Sequence, residues 1–224
     1  TVDYFTSNLA SQIYRPMSKQ SWAYPDFKDS AFNFTDDDGY YVDYAYDDSA
    51  QDILQMLQDH GYTVAGGKVT GAPTGYELKT ITFTVAGEST DHPAWQMFTN
   101  AKEVLAKIGI KVDVMTDQFA LKKLASGQLA VWAAAWSSTI DPDMYQVYHK
   151  LSTAGSTLNW GYDEIKKGGK YAYELGLVNE LSDIIDSARE STDNSKNGTR
   201  AQRYWEALDL VMELAVELPT YQRK

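Results

Sequence analysis

The chain has 224 residues, of which 43% are hydrophobic and 23% charged, and it carries a formal net charge of −11. This is the composition of a soluble globular protein, and the acidic balance excludes nucleic acid as a partner, because phosphate binding needs clustered Lys and Arg. Cysteine is absent, which removes disulfides and thiolate chemistry, and no stretch approaches the ~20 apolar residues of a membrane span.

Residues 1–43 are rich in aromatics, Ser, Asp and Pro without a sustained period, so an irregular arm packed on the rest is expected. Asp48 or Ser49 caps a helix with apolar residues at Ala50, Ile53, Leu54 and Leu57, and Gly61 stops it. Val64 to Tyr76, with four glycines and Pro73, reads as a hairpin or loop. Ile81, Phe83 and Val85 alternate with threonines, as in a half-buried strand. A helix through Trp95, Phe98, Leu105 and Ile108 follows, and Gly109 ends it. The next strand, Ile110 to Val114, should then lie parallel to the first. A second unit repeats the plan, with a helix over Phe119 and Leu124, Gly127 as stop, and an apolar strand from Leu129 to Trp136. That unbroken run suits a strand covered on both faces. After it the polar turn Ser137-Ser138-Thr139 leads to Asp141-Pro142, with Tyr145 and Tyr148 beyond. Two amphipathic helices close the chain. Val178, Leu181, Ile184, Ile185 and Ala188 line one; Trp205, Leu208, Val211, Met212 and Ala215 line the other, which Pro219 terminates. The pattern is α/β: a mixed sheet with flanking helices, in one lobe over 44–224.

Little in this sequence supports catalysis or metal binding. His60, His92 and His149 are scattered, and none stands at i, i+4 from another, so a zinc or histidine-based site is not expected. Asp36-Asp37-Asp38-Gly39 fails the calcium-loop register, because Phe34 and Ala45 would occupy its first and last ligand positions. Gly66-Gly67-Lys68 misses a phosphate loop by one place and lacks the following Ser or Thr. Asp141 and Asp143 are the one catalytic option left open, as the carboxylate pair of a secreted carbohydrate-active enzyme or the acidic loop of a carbohydrate-binding module. Against it, α/β sheets place ligands beyond the carboxyl ends of their strands, and an aromatic, hydroxyl-bearing loop there binds without chemistry. Sixteen tyrosines and six tryptophans suit a binding cleft.

Four segments, in order, resemble the family 5 extracellular solute-binding proteins, the oligopeptide- and dipeptide-binding components of ABC importers. They are Tyr44 to Tyr62, Lys107-Ile108-Gly109-Ile110-Lys111-Val112, Trp136 with Asp141-Pro142, and Glu217-Leu218-Pro219-Thr220-Tyr221. The resemblance implies the second lobe of a type II periplasmic-binding-protein-like fold, a fragment of a longer exported chain. It further implies a monomer that delivers a peptide or similar small solute to permease subunits, with no catalysis and no cofactor. The location implied is the cell surface, as a lipoprotein, or the periplasm. Trp136 matches the family's ligand-packing tryptophan. Thr139 stands where the peptide binders carry an aspartate for the peptide's amino group, which leaves Asp141 as a substitute. The expected ligand contacts are Trp136, Ser137, Ser138, Thr139, Asp141 and Tyr145.

Overall fold

The computed structural model of the protein describes residues 9–25, 51–133, 135, 139–155 and 160–224. These fall in two compact units, the first within 42–135 and the second within 2–41 and 136–224. The strand β1 (Ala10–Gln12) belongs to the second unit.

The first unit opens with α1 (Gln51–Asp59), whose Ile53, Leu54 and Leu57 turn to the interior. The strands β2 (Thr63–Ala65) and β3 (Lys68–Gly71) form an antiparallel hairpin. Gly66 and Gly67 join them with φ of 60° and 72°, the left-handed pair that a tight two-residue turn demands. The near match to a phosphate loop is therefore a hairpin turn.

Next come β4 (Ile81–Ala86), α2 (Pro93–Lys107), β5 (Val112–Asp117), α3 (Ala120–Ala125) and β6 (Val131–Trp132). The sheet order is β5–β4–β6 with both pairings parallel, Ile81 opposite Val112 and Phe83 opposite Val131. The expected parallel strand-helix-strand unit is present, while the antiparallel pairs lie in separate two-stranded sheets. Alternation places Phe83 and Val85 on the α2 side, where they pack with Ala94 and Phe98. The Phe83 and Phe98 rings meet edge to face at 5.0 Å. Removing side chains of this size from water contributes about 1.5–3 kcal/mol each.

At the other end of α2, Leu54, Val69 and Ile108 form a small core. Gly109, with φ of 86°, makes this possible: a Cβ there would stand 2.8 Å from the Val69 carbonyl oxygen. The Val69 N–H donates to the Ile108 carbonyl at 2.8 Å across the same contact.

One expectation needs correction. Among the described residues, which leave out Ala134 and Trp136, the strand read over Leu129–Trp136 is formed at Val131–Trp132, and both residues are half-buried. β6 lies at the edge of its sheet among the described residues; Val131 and Ala133 pack with Val85 and Phe98 while Ala130 and Ala135 are exposed, so the described part of the run is not covered on both faces.

The second unit is mainly helical: α4 (Tyr145–Tyr148), α5 (Tyr162–Ile165), α6 (Ala172–Glu190) and α7 (Thr199–Glu213), then the strand β7 (Tyr221–Arg223). Leu181, Ile185 and Ala188 of α6 pack with Tyr204, Trp205, Leu208 and Val211 of α7. The faces expected from periodicity are the buried ones. α7 stops at Glu213, before Pro219, and Ala215 beyond it adopts φ of 55°.

Where it is described, the N-terminal segment packs on the helices of this unit. Arg15 is fully buried and reaches Asp209 with Nε and Nη2 at 3.1 and 2.8 Å. The Trp205 indole donates to the Ala23 carbonyl at 2.8 Å, and Ala23 sits in the α6–α7 core. β1 pairs antiparallel with β7, Ala10 opposite Arg223.

Candidate ligand-binding loop

Of the six expected contact residues, Trp136, Ser137 and Ser138 lie outside the described residues. Thr139, Asp141 and Tyr145 are described, and they belong to one continuous turn leading into α4. The Thr139 hydroxyl donates to the Asp141 carbonyl. The Asp141 carboxylate accepts the Asp143 N–H at 3.0 Å, and the Asp143 carboxylate accepts the Tyr145 N–H at 3.1 Å. Such side-chain-to-backbone bonds are why aspartates start turns and short helices.

Each of these carboxylates also meets an arginine from the α6–α7 pair. Arg200 grips Asp141 with Nη2 to Oδ1 at 2.8 Å and Nη1 to Oδ2 at 3.1 Å, a two-pronged geometry that strengthens charge-assisted bonds. Arg189 Nε approaches Asp143 at 3.3 Å. Neither arginine figured in the sequence reading. A signal existed, since Arg200 is the second residue of α7, where the helix dipole disfavours a cation.

The Tyr145 ring is engaged by two neighbours. Its ring stacks on His149 with centroids 4.1 Å apart and planes at 15°, while the Arg189 guanidinium lies 4.3 Å over it. His149 is buried, accepts the Leu151 N–H at Nδ1 (3.0 Å) and directs Nε2 to Asp186 at 3.3 Å.

Four residues cannot sustain a helix by propensity, because the first turn fixes several dihedrals for one hydrogen bond. Tertiary bonds hold α4 instead. The Gln146 carbonyl accepts from the Ser152 hydroxyl (2.8 Å), that of Val147 from the Trp160 indole (3.0 Å) and that of Tyr148 from the Tyr162 hydroxyl (2.9 Å). The Lys150 N–H donates to the Ser182 hydroxyl at 3.0 Å. The Tyr148 hydroxyl donates to Glu217 at 2.7 Å. Burial, then the Glu217 charge and the hydrogen bond to it, raise the Tyr148 phenol well above its ordinary range. Burial alone also raises Tyr162.

This geometry can hold a loop in one conformation, and both of its described carboxylates are engaged by arginines. In the first unit, Asp117 at the carboxyl end of β5 is likewise occupied, for Lys123 and the Phe119 N–H both bond it and hold its carboxyl below the usual range. A shallow groove on α6 and α7 is lined by Glu180, Asp183, Ile184, Ser187, Arg203 and Glu206, and none of these is an expected contact residue. Among the described residues no cluster of His, Asp and Glu is fit to hold a metal ion, and no helix is long and apolar enough to cross a membrane.

No known family profile and no curated protein matches the sequence. Solved structures do match, and they define the class of fold: an α/β lobe with flanking helices, like those of periplasmic binding proteins. The periplasmic EDTA-binding protein EppA is 19% identical over 100% of this chain and 36% of its own, with a TM-score of 0.65. An oligopeptide-binding protein from Thermus thermophilus, solved with a pentapeptide, is 16% identical over 99% of this chain and 35% of its own, at 0.65. The ABC transporter-associated periplasmic binding protein DppA from Helicobacter pylori, solved with the peptide STSA, is 21% identical over 99% of this chain and 36% of its own, at 0.61. The chain therefore spans about a third of the length of the structures it matches.

Proposed function

We propose that the chain is a lobe of a family 5 solute-binding protein that captures a peptide or similar small solute outside the cytoplasmic membrane for an ABC permease. The observation that supports this reading is the fold: the whole chain superposes on one part of two proteins solved with peptides and of an EDTA-binding protein. Residues 44–224 acting as one lobe, a monomeric full-length protein, and its place as a lipoprotein or in the periplasm are parts of the same proposal.

In this reading the ligand meets the segment after β6. The Trp136 ring packs on it, Ser137, Ser138 and Thr139 offer hydroxyl and backbone groups, and Asp141 with Tyr145 forms the frame behind them. A glycosidase would need one carboxyl free to give a proton and another free to attack or to activate water. The two acids of this loop are instead engaged by Arg200 and Arg189. That observation favours binding over the carbohydrate-active alternative.

Calorimetric titration of the full-length protein with short peptides tests the proposal. Binding in the micromolar range is expected, with Trp136→Ala weaker by about tenfold or more, an aromatic contact of roughly 1.4 kcal/mol. Residues 1–224 alone should bind at millimolar concentration or worse, because one lobe buries far less of a ligand than the ~70–90% usual for small-molecule sites. Hydrolysis of chromogenic glycosides, lost in Asp141→Asn, would refute the reading.

A further inference from the structure

Asn197 is the one asparagine in the sequence that glycine follows. Such a pair is the least shielded against self-modification, because glycine has no side chain to guard its backbone nitrogen. The Gly198 nitrogen attacks Cγ of Asn197, so the N–Cγ bond forms and the Cγ–Nδ2 bond breaks. Nδ2 leaves as ammonia, taking the proton of the Gly198 N–H. Water then opens the succinimide ring at one carbonyl or the other and leaves aspartate or isoaspartate. Water is the sole co-reactant.

The structure sets this asparagine apart from others. Asn197 is exposed in the turn before α7, and its side-chain amide has no partner among the described residues. The side chains of Asn100, Asn179 and Asn194 are instead taken by Gln96, Lys150 and Arg200. The Asn197 backbone has φ of 67°, a left-handed conformation that asparagine tolerates better than most residues.

A clasp nevertheless holds the reacting nitrogen back. The Gly198 N–H donates to the Ser195 carbonyl at 2.9 Å, and the attack must break that bond because it consumes the same proton. Asp193 keeps the turn shut. Its carboxylate accepts the Ser195 N–H at 3.1 Å, the Ser195 hydroxyl, and the Thr199 N–H at 3.0 Å. A Cβ on Gly198 would stand 2.5 Å from both Asp193 oxygens, so the carboxylate lies directly against this glycine. Gln202 adds a bond from Nε2 to the Asn197 carbonyl at 2.9 Å.

We propose that Asn197–Gly198 is a self-modification site and that Asp193 sets its rate. Conversion runs through the fraction of molecules whose turn is open, so it records chemically how often the start of α7 comes undone. The two products act differently. Aspartate at position 197 adds a negative charge before the α7 N-terminus, where the dipole favours it. Isoaspartate carries the main chain through the former side chain and lengthens it by one carbon. Gly198 must then leave its place against Asp193, and the Thr199 N–H loses its acceptor.

The test ages the full-length protein in mildly alkaline buffer and maps it by mass spectrometry, with isoaspartate counted by an isoaspartate-specific methyltransferase. The variants are D193A, N197D and N197Q, with D193N replacing D193A if that protein fails to fold. Asn197 should convert before Asn100, Asn179 and Asn194. D193A should speed conversion about tenfold, the effect on the open population of losing one cap at a helix start. N197Q should stop it, because ring closure would need a larger ring. N197D should keep the Thr199 amide exchange of fresh protein. Aged wild type should show a second population, as large as its isoaspartate count, exchanging about tenfold faster there. An unchanged conversion rate without the Asp193 carboxylate would overturn the proposal. Earlier conversion at Asn100, Asn179 or Asn194 would overturn it too, as would an Asn197 that stays intact while the urea-unfolded chain converts. Uniform Thr199 exchange in aged protein rich in isoaspartate would overturn the clasp.

Discussion

The two units solve the problem of specifying a structure in different ways. In the first, regular strands and helices bury apolar side chains, and Thr84 is the single fully described polar residue in its interior. In the second, Arg15, His149, Ser152, Ser182 and Arg200 are all buried, and each has a named hydrogen-bonding partner. Periodicity decides the first unit, because an alternating strand has one face to bury. Satisfied polar groups decide the segment around α4 in the second, because it has no period of its own and a buried group left unpaired costs about 1–3 kcal/mol. The consequence concerns function: a loop that must present particular groups is better fixed by directional bonds than by non-directional burial.

Four measurements would break or sharpen this comparison. The largest effect should come from Trp205→Ala, which empties a fully buried site and orphans the Ala23 carbonyl. About 3–5 kcal/mol should be lost in urea unfolding, with amides of α6 and α7 losing protection before those of β4 and β5. Equal loss of protection in both units would show that the contrast does not extend to their stability.

The first unit is most sensitive where backbone touches backbone. Gly109→Val should cost about 2–3 kcal/mol, since it combines a left-handed φ with a clash against the Val69 carbonyl. Gly67→Ala, equally left-handed but with nothing within 4 Å, should cost only about 1 kcal/mol. Equal costs by thermal melting would mean that the close approach contributes nothing.

The buried phenols of the second unit predict an alkaline limit. An unfolded tyrosine gives up its proton near pH 10, whereas Tyr148 holds its proton well above that. The unfolded state therefore binds fewer protons in this range, and stability, complete below about pH 10, falls as pH rises further. Tyr148→Phe should flatten that fall while costing about 1 kcal/mol at neutral pH. An unchanged slope between pH 10 and 12 would contradict the assignment.

The smallest effect is expected at the surface of the first unit. Lys102 lies 3.6 Å from Asp113 with both side chains well exposed, so Lys102→Ala should cost less than about 0.5 kcal/mol, and added salt should erase even that.

Much of the first unit was legible in the sequence. Ile81, Phe83 and Val85 announced β4, Gly109 and Gly127 marked the ends of helical segments, and the connection lengths implied parallel pairing. The apolar faces of α6 and α7 were equally readable, from Leu181 and Ile185 on one and Trp205, Leu208 and Val211 on the other. The cover of the β6 run was misjudged because an unbroken apolar run does not reveal which of its residues stay exposed, as Ala130 and Ala135 do. The candidate loop was found as a place, while its use of charge was not. Asp141 reads as a free carboxylate until Arg200 arrives from 59 residues away, and Tyr145 reads as an open ring until His149 and Arg189 cover it. Long-range side-chain pairing leaves no period behind. Its one trace was a cation at the wrong end of a helix.

The ribbon of β1 and β7 has a topological consequence. Leu9 and Lys224 are joined by a backbone hydrogen bond of 2.9 Å, so the path through these residues enters and leaves by the same doorway. A bridge of a few residues could link positions 9 and 224 into a ring without stretching either strand, since each residue spans up to ~3.3–3.6 Å. New ends could then be cut at the Gly66-Gly67 turn, which has open space around both residues.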